Sequence, residues 1–338
     1  MTNAHCRVLV TGASGHIGAN LVRALIRSGA FVRAMVHRNS VALRGLNVEL
    51  AVADVSDPST LPPVFCDVDV VYHCAGCISI SRRACPGLFE VNVTGTANIV
   101  EACLKAGVKR LVHFSSIHAR SDTGPGTVID EETPLALGDS EAPYDRSKAE
   151  GEWIVLCAAN RGLDAVVVVP TAVLGPHDYL PSYFGRVLLS LARERMPVIV
   201  CGGFDWVDVC DVVDGAMRAA ERAASGSRYV LSGHWCTLTE IAMYVSDARG
   251  CSPPRLCVPD RLARACGRVN EAICRLRGVE ALFTGFSVEA LSHHRNVSHE
   301  KASHGLGYRP RPLRETVTDT IHWFEQSGYL PLCQYRTH

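Results

Sequence analysis

Cys6-Arg7-Val8-Leu9-Val10-Thr11-Gly12-Ala13-Ser14-Gly15-His16-Ile17-Gly18 is the stretch on which the reading of this chain turns. Val8 to Val10 is a short apolar run of the kind that forms a buried strand. Three glycines follow, and a helix-like pattern runs from Ile17 to Ile26. Strand, glycine turn and helix together suit phosphate binding. Residues without a Cβ let the backbone approach a pyrophosphate, and the free N–H groups and positive dipole end of the helix face the anion. The spacing is G-x-x-G-x-x-G rather than G-x-G-x-x-G, so the turn by itself also fits an ordinary glycine-rich connection.

The 338 residues are enough for a large core, in one big domain or two intimate ones. Lysine plus arginine (34) balances aspartate plus glutamate (34), which argues against nucleic acid or an anionic membrane and for a small-molecule ligand. No basic segment followed by an apolar stretch opens the chain, and no apolar run reaches about 18 residues. A cytoplasmic protein with no membrane segment is expected. Most of the 15 cysteines, Cys103, Cys157, Cys210 and Cys266 among them, sit in apolar runs as small hydrophobes and are expected to be reduced. The one C-x-x-C, Cys74 to Cys77, has no second pair, so no metal site is expected.

Strand-like runs at Phe31 to Val36, Val48 to Val52, Val68 to Tyr72, Arg110 to Phe114 and Ala165 to Val169 alternate with helical patterns, clearest at Leu88 to Ala106 and Lys148 to Asn160. Apolar throughout, the strands suit a parallel sheet covered on both faces: an α/β, doubly wound, Rossmann-type architecture. Beyond Pro170 the rhythm breaks. The expected division is a dinucleotide-binding domain over 1–174, to which 207–233 returns through a helix at Asp208 to Ala224 and a strand at Arg228 to Leu231. A smaller substrate-binding region takes 175–206 and 234–338, with helices near Arg261 to Leu276 and Arg314 to Gln326.

Further features fall at strand ends, the edge where ligands bind in open α/β sheets. Asp54 ends the third strand, where a carboxylate can accept from an adenine amino group or cap the next helix. His73-Cys74-Ala75-Gly76 ends the fourth and offers small residues to a cofactor backbone. Ser115-Ser116 follows the fifth, and Tyr144-Asp145-Arg146-Ser147-Lys148 enters a helix that brings Tyr144 and Lys148 to one face. A phenol titrates near pH 10. An ammonium about 4 Å away at an effective dielectric of about 20 is worth roughly 4 kcal/mol, which is expected to bring the phenol about three pKa units down toward neutrality. Ile78, Ile80, the 117–143 loop and the 175–206 stretch with His177, Tyr179 and Trp206 are candidate substrate-pocket residues. His118 is either a second acid or base or a simple contact.

Taken together, these motifs resemble the extended short-chain dehydrogenases/reductases over essentially the whole chain. Thr11 to Gly18 looks like that family's nucleotide loop and Val91-Asn92-Val93-Thr94-Gly95-Thr96 like its cofactor-facing helix. Ser116, Tyr144 and Lys148 match its catalytic trio. Pro170-Thr171-Ala172-Val173-Leu174-Gly175-Pro176 is similar to the dihydroflavonol 4-reductase and 3β-hydroxysteroid dehydrogenase branch, with Thr171 where nucleotide-sugar epimerases and dehydratases usually carry asparagine. The resemblance implies that Gly12, Ser14, Gly15, His16, Ile17, Gly18, Arg38, Asp54, Val55, Cys74, Ala75, Gly76, Asn92, Tyr144, Lys148, Pro170 and Thr171 surround the cofactor, and that a homodimer is possible. It implies carbonyl–alcohol interconversion on a small, largely apolar substrate. The alternatives are an epimerase or dehydratase that recycles its cofactor and a non-catalytic dinucleotide-binding regulator, which would not need Tyr144 and Lys148 together. About 20 positions after Gly18, where NAD-preferring folds carry an acidic residue, stands Arg38. A guanidinium there favours NADP(H), with NAD(H) still possible.

Overall fold

The computed structural model describes residues 6–79, 84–121, 124, 126–139, 141–259 and 296–332. Ile80 and the helix expected near Arg261 to Leu276 lie outside them. In chain order, β1 (Arg7–Thr11), α1 (His16–Arg27), β2 (Phe31–Val36), β3 (Glu49–Val52), α2 (Pro62–Phe65), β4 (Val70–His73), α3 (Gly95–Ala106), β5 (Arg110–Phe114), α4 (Pro143–Ala159) and β6 (Ala165–Pro170) form the first half. After them come β7 (Ala172–Leu174), α5 (Tyr183–Ala192), β8 (Val198–Val200), β9 (Gly203–Asp208), α6 (Val209–Arg222) and β10 (Arg228–Leu231). β11 (His234–Thr237), α7 (Leu238–Arg249), β12 (Leu256–Val258), α8 (Glu300–Leu306) and α9 (Leu313–Gln326) complete the described chain.

Seven strands pair in the order β10-β6-β5-β4-β1-β2-β3, every pairing parallel. The order reverses at β1, and the crevice there is where a doubly wound sheet takes its ligand. Alternate residues of one strand serve opposite faces. Val8 and Val10 pack with Leu21, Leu25, Val212 and Ala216 of α1 and α6, whereas Leu9 packs in the cluster holding Ile99, Cys103 and Val155 of α3 and α4. This double coverage explains why the strands are apolar without alternation, and it matches the architecture expected from the sequence.

Helix α4 begins at Pro143, five residues before the expected start at Lys148. Proline at the first helical position carries the right φ and gives up only an N–H that has no partner anyway. Tyr144 and Lys148 therefore sit on successive turns of one helix. The helix expected over Leu88 to Ala106 begins at Leu88 as expected and passes through a wide π-type turn, Glu90–Thr94, into α3. Beyond the main sheet, β11-β9-β7 and β12-β8 form two small sheets over a separate cluster that includes Leu188, Trp206, Ile241, Val317 and Phe324. The β8–β12 pairing brings the Cα atoms of Cys201 and Cys257 to 5.6 Å, and their sulfurs are bonded. That pair departs from the expectation of reduced cysteines, because two strands far apart in sequence carry them to within disulfide reach. Among the described residues no helix is long and apolar enough to cross a membrane, and no cluster of histidine, cysteine, aspartate and glutamate could hold a metal.

Candidate active site

Gly12 closes β1 with φ +63°, and a Cβ there would lie 2.7 Å from the backbone N of Ala75. Only glycine lets the β1 and β4 ends meet so closely, and the Thr11 hydroxyl ties them by accepting from Ala75 N–H at 3.2 Å. A Cβ on Gly18 would reach within 2.9 Å of Ala13 Cα, so the first turn of α1 presses against the loop. α1 begins after Gly15 with no side chain capping its N–H groups, leaving them for an acceptor. This backbone cradle fits a dinucleotide pyrophosphate.

From the cradle a cavity of about 310 Å³ runs across the β4, β5 and β6 ends. Of the sequence-predicted residues, Gly12, Gly15, His16, Ile17, Gly18, Cys74, Gly76, Ser116, Tyr144, Lys148, Pro170 and Thr171 line it. Ile78 lines it too, as do Ile117 and His118 from the loop after β5. Ser14 is half-buried within the turn. Asp54 is engaged locally: Oδ1 accepts from Ser56 N–H at 2.9 Å and Oδ2 lies 3.3 Å from His37 Nε2. Val55 is buried and its carbonyl accepts from Asn98 at 2.9 Å. Arg38, exposed beyond β2, has no ion-pair or hydrogen-bond partner among the described residues.

Asn92 stands behind the wall rather than on it. Its amide accepts from Cys77 N–H at 2.7 Å and donates to Cys77 O and Ser147 Oγ at 2.9 Å each, joining the segment after β4 to α4. His16 spends its Nε2 on the carbonyls of Gly175 and Pro176, at 3.1 and 3.2 Å, and so links the nucleotide loop to the segment after β7. His177 and Tyr179 pack against Trp323, and Trp206 is 1% exposed with its indole N–H on Cys236 O. Trp206 belongs to the core of the second cluster, Tyr179 packs against it, and half-buried His177 joins them through Trp323. The far wall comes from Ala172 and Val173, which sequence reasoning did not single out as pocket residues, and from Tyr183, Phe184, Phe204 and Asp205 of the expected 175–206 stretch.

Tyr144 is 8% exposed and hydrogen-bonded to Ser116. Burial pushes its phenol up to about 12, against the pull of that hydrogen bond. The expected lowering by Lys148 is absent. The Lys148 ammonium donates to Phe114 O at 2.8 Å, and burial draws it down to about 8 although Glu152 and Cys74 favour its charge. Desolvation is the largest influence on both groups. His118 lies edge-on to Tyr144, ring centroids 5.6 Å apart, with Nδ1 3.1 Å from Asp145 Oδ1. His73, whose nitrogens meet the Thr11 and Thr96 hydroxyls at 2.8 and 3.1 Å, is held down to about 3 by burial and stays neutral. The arrangement sets a proton-bearing phenol, a hydroxyl and an amine at one end of a mainly apolar cavity that begins at a phosphate cradle.

The model of the NAD dependent epimerase/dehydratase family matches residues 8–232. Sterol demethylase protein B of Methylococcus capsulatus is 35% identical, over 95% of this chain and 99% of its own length. The 3beta-hydroxysteroid-dehydrogenase/decarboxylase isoform 1 of Arabidopsis thaliana is 29% identical, over 94% of this chain and 79% of its own. Among solved structures, that of gox2253 superposes with a TM-score of 0.81 at 34% identity, covering 96% of this chain and 99% of that one.

Proposed function

Because the chain belongs to the NAD dependent epimerase/dehydratase family and is an oxidoreductase of the extended short-chain type, we propose that it interconverts a carbonyl and a secondary alcohol on a small, largely apolar substrate. The observation that carries this reading is the continuity of one cavity from the glycine cradle to Ser116, Tyr144 and a wall of Phe184, Phe204 and Ala172. A nicotinamide cofactor held there would supply the hydride for reduction or accept it in oxidation. In reduction Tyr144 gives its proton to the substrate oxygen. The Ser116 hydroxyl donates a hydrogen bond to the same oxygen, a contact that strengthens as negative charge develops there. Lys148, on the turn after Tyr144, would hold the nicotinamide ribose. In oxidation the same proton returns to Tyr144.

A nucleotide-sugar substrate brings a diphosphate, yet among the described residues Lys148 is the one lysine or arginine on the cavity wall. Relatives named for sterol and steroid chemistry point the same way, toward an alicyclic lipid carbonyl. The test is to supply reduced cofactor and a panel of apolar ketones, steroidal ketones included, to the purified protein. Consumption of one cofactor per product is expected. Product formed from catalytic traces of cofactor, with none consumed, would refute net redox chemistry.

For the cofactor, NADP(H) is the proposed partner. Arg38 stands where an acidic residue would hold the ribose hydroxyls of NAD, and its guanidinium is uncommitted among the described residues. A 2′-phosphate can take charge-assisted, bidentate hydrogen bonds from it. Arg38→Ala should weaken NADPH binding by about 10- to 100-fold and leave NADH nearly unchanged. Fluorescence titration with both cofactors checks this, and equal losses for the two would exclude the phosphate role.

A further inference from the structure

Asp205, near the start of β9, is 7% exposed and lines the same cavity as Ser116 and Tyr144. Two donors reach it. The Thr171 hydroxyl lies at 2.7 Å and the Gly233 N–H at 2.8 Å, and both end on Oδ1. Oδ2 has no donor among the described residues. Burial raises this carboxyl above the usual carboxylate range, while the two hydrogen bonds and the nearby His234 work in the opposite sense. A carboxylate has about four acceptor positions, and leaving half of them without donors in an apolar setting is costly. Phe184 and Phe204, which line the same cavity, carry no polar atoms on their side chains. The fold holds this carboxyl on a ligand cavity and fixes its orientation through one oxygen.

We propose that Asp205 is a specificity-determining residue: its Oδ2 accepts a hydrogen bond from a hydroxyl or ammonium group on the substrate and repels a carboxylate or phosphate at that position. The inference rests on the carbonyl chemistry proposed above and adds the polar group that the substrate must carry away from its reacting carbon. Thr171 shares in it, because its hydroxyl fills one side of Oδ1 and leaves Oδ2 to the cavity. A neutral or cationic donor satisfies the buried oxygen, whereas an anion there meets both unpaired charge and lost hydration.

Asp205→Asn is the informative change. The amide keeps an oxygen for Thr171 and Gly233 and replaces the remaining carboxylate oxygen with an N–H donor. The probes are matched methyl ketones of increasing chain length that end in methyl, hydroxyl, ammonium or carboxylate. Ratios of kcat/KM between tails, taken within each protein, cancel any difference in the amount of folded enzyme. In the wild type the ammonium- and hydroxyl-tailed ketones should exceed the carboxylate-tailed one by about 10- to 100-fold at the fitting length. In the variant this ratio should collapse or invert. Equal ratios in the two proteins at every length would overturn the role of Asp205. Calorimetric binding of the same ketones separates the two readings. A tail preference in binding that Asp205→Asn abolishes, without turnover of any ketone, would support Asp205 and overturn the carbonyl chemistry instead.

Discussion

Tyr144→Phe should lower turnover by about 10² to 10⁴, the usual worth of a positioned proton donor, while the dinucleotide still binds. The ring remains to fill its buried place beside His118, and only the hydroxyl that meets Ser116 is lost. The phenol pushed up to about 12 gives the pH dependence a definite sign. A group with so high a value holds its proton throughout the neutral range, so the donor form needed for reduction is present there and the rate of reduction should be flat. Oxidation needs the phenolate, whose fraction grows about tenfold per pH unit below that value, so oxidation should accelerate as pH rises. Steady-state rates in both directions, with cofactor affinity by titration, check these points. More than half of wild-type activity in the variant would remove Tyr144 from the mechanism. A rate of oxidation independent of pH would mean that the bound cofactor and substrate reset the phenol.

The parts of this site that were legible in the sequence are those carried by short, contiguous patterns. The glycine turn, the strand ends and the Tyr144–Lys148 spacing are each fixed within a single strand–turn–helix unit or a single helix turn. The sign of the shift on Tyr144 was not legible in the same way. A four-residue spacing says that an ammonium can approach a phenol, but burial depends on what the rest of the chain lays over both. Here Phe114 O claims the ammonium and the walls exclude water. Asp205 lay inside the 175–206 stretch expected to line the pocket but was not singled out, for a related reason: it becomes a cavity residue only once β9 pairs with β7 and the residue after β10 delivers Gly233 to its carboxyl. Trp206, Tyr179 and His177 looked like pocket residues because aromatic residues in an irregular stretch suit an apolar ligand equally well. The structure uses them to seal the second core. The pairing of Cys201 with Cys257 likewise depends on two strands whose meeting no local pattern announces.

The serine end of the site also depends on a charge pair that lies wholly inside the protein, and its removal should be the most destabilising single change. Glu152, one turn beyond Lys148 on α4, and Arg120, just after the short turn that follows Ser116, are both 0% exposed in their side chains and meet at 2.8 Å. The other Glu152 oxygen accepts from Ser115 Oγ at 2.5 Å. Arg120 Nε and Nη1 find no acceptor among the described residues, so Glu152 carries nearly all of the compensation for a buried guanidinium. Glu152→Ala leaves that charge unpaired and frees the Ser115 hydroxyl. Breaking such a pair from one side costs about 3–5 kcal/mol, a large share of the roughly 5–15 kcal/mol by which folded domains are stable. The denaturation midpoint should fall accordingly at unchanged slope. Replacing both partners, Arg120→Leu with Glu152→Leu, should recover much of the loss, because two apolar side chains leave no buried charge. A Glu152→Ala stability within about 1 kcal/mol of wild type would mean that water reaches Arg120. In the double variant activity should recover less than stability, since Ser115 would still lack the carboxylate that ties the serine turn to the helix bearing Tyr144 and Lys148.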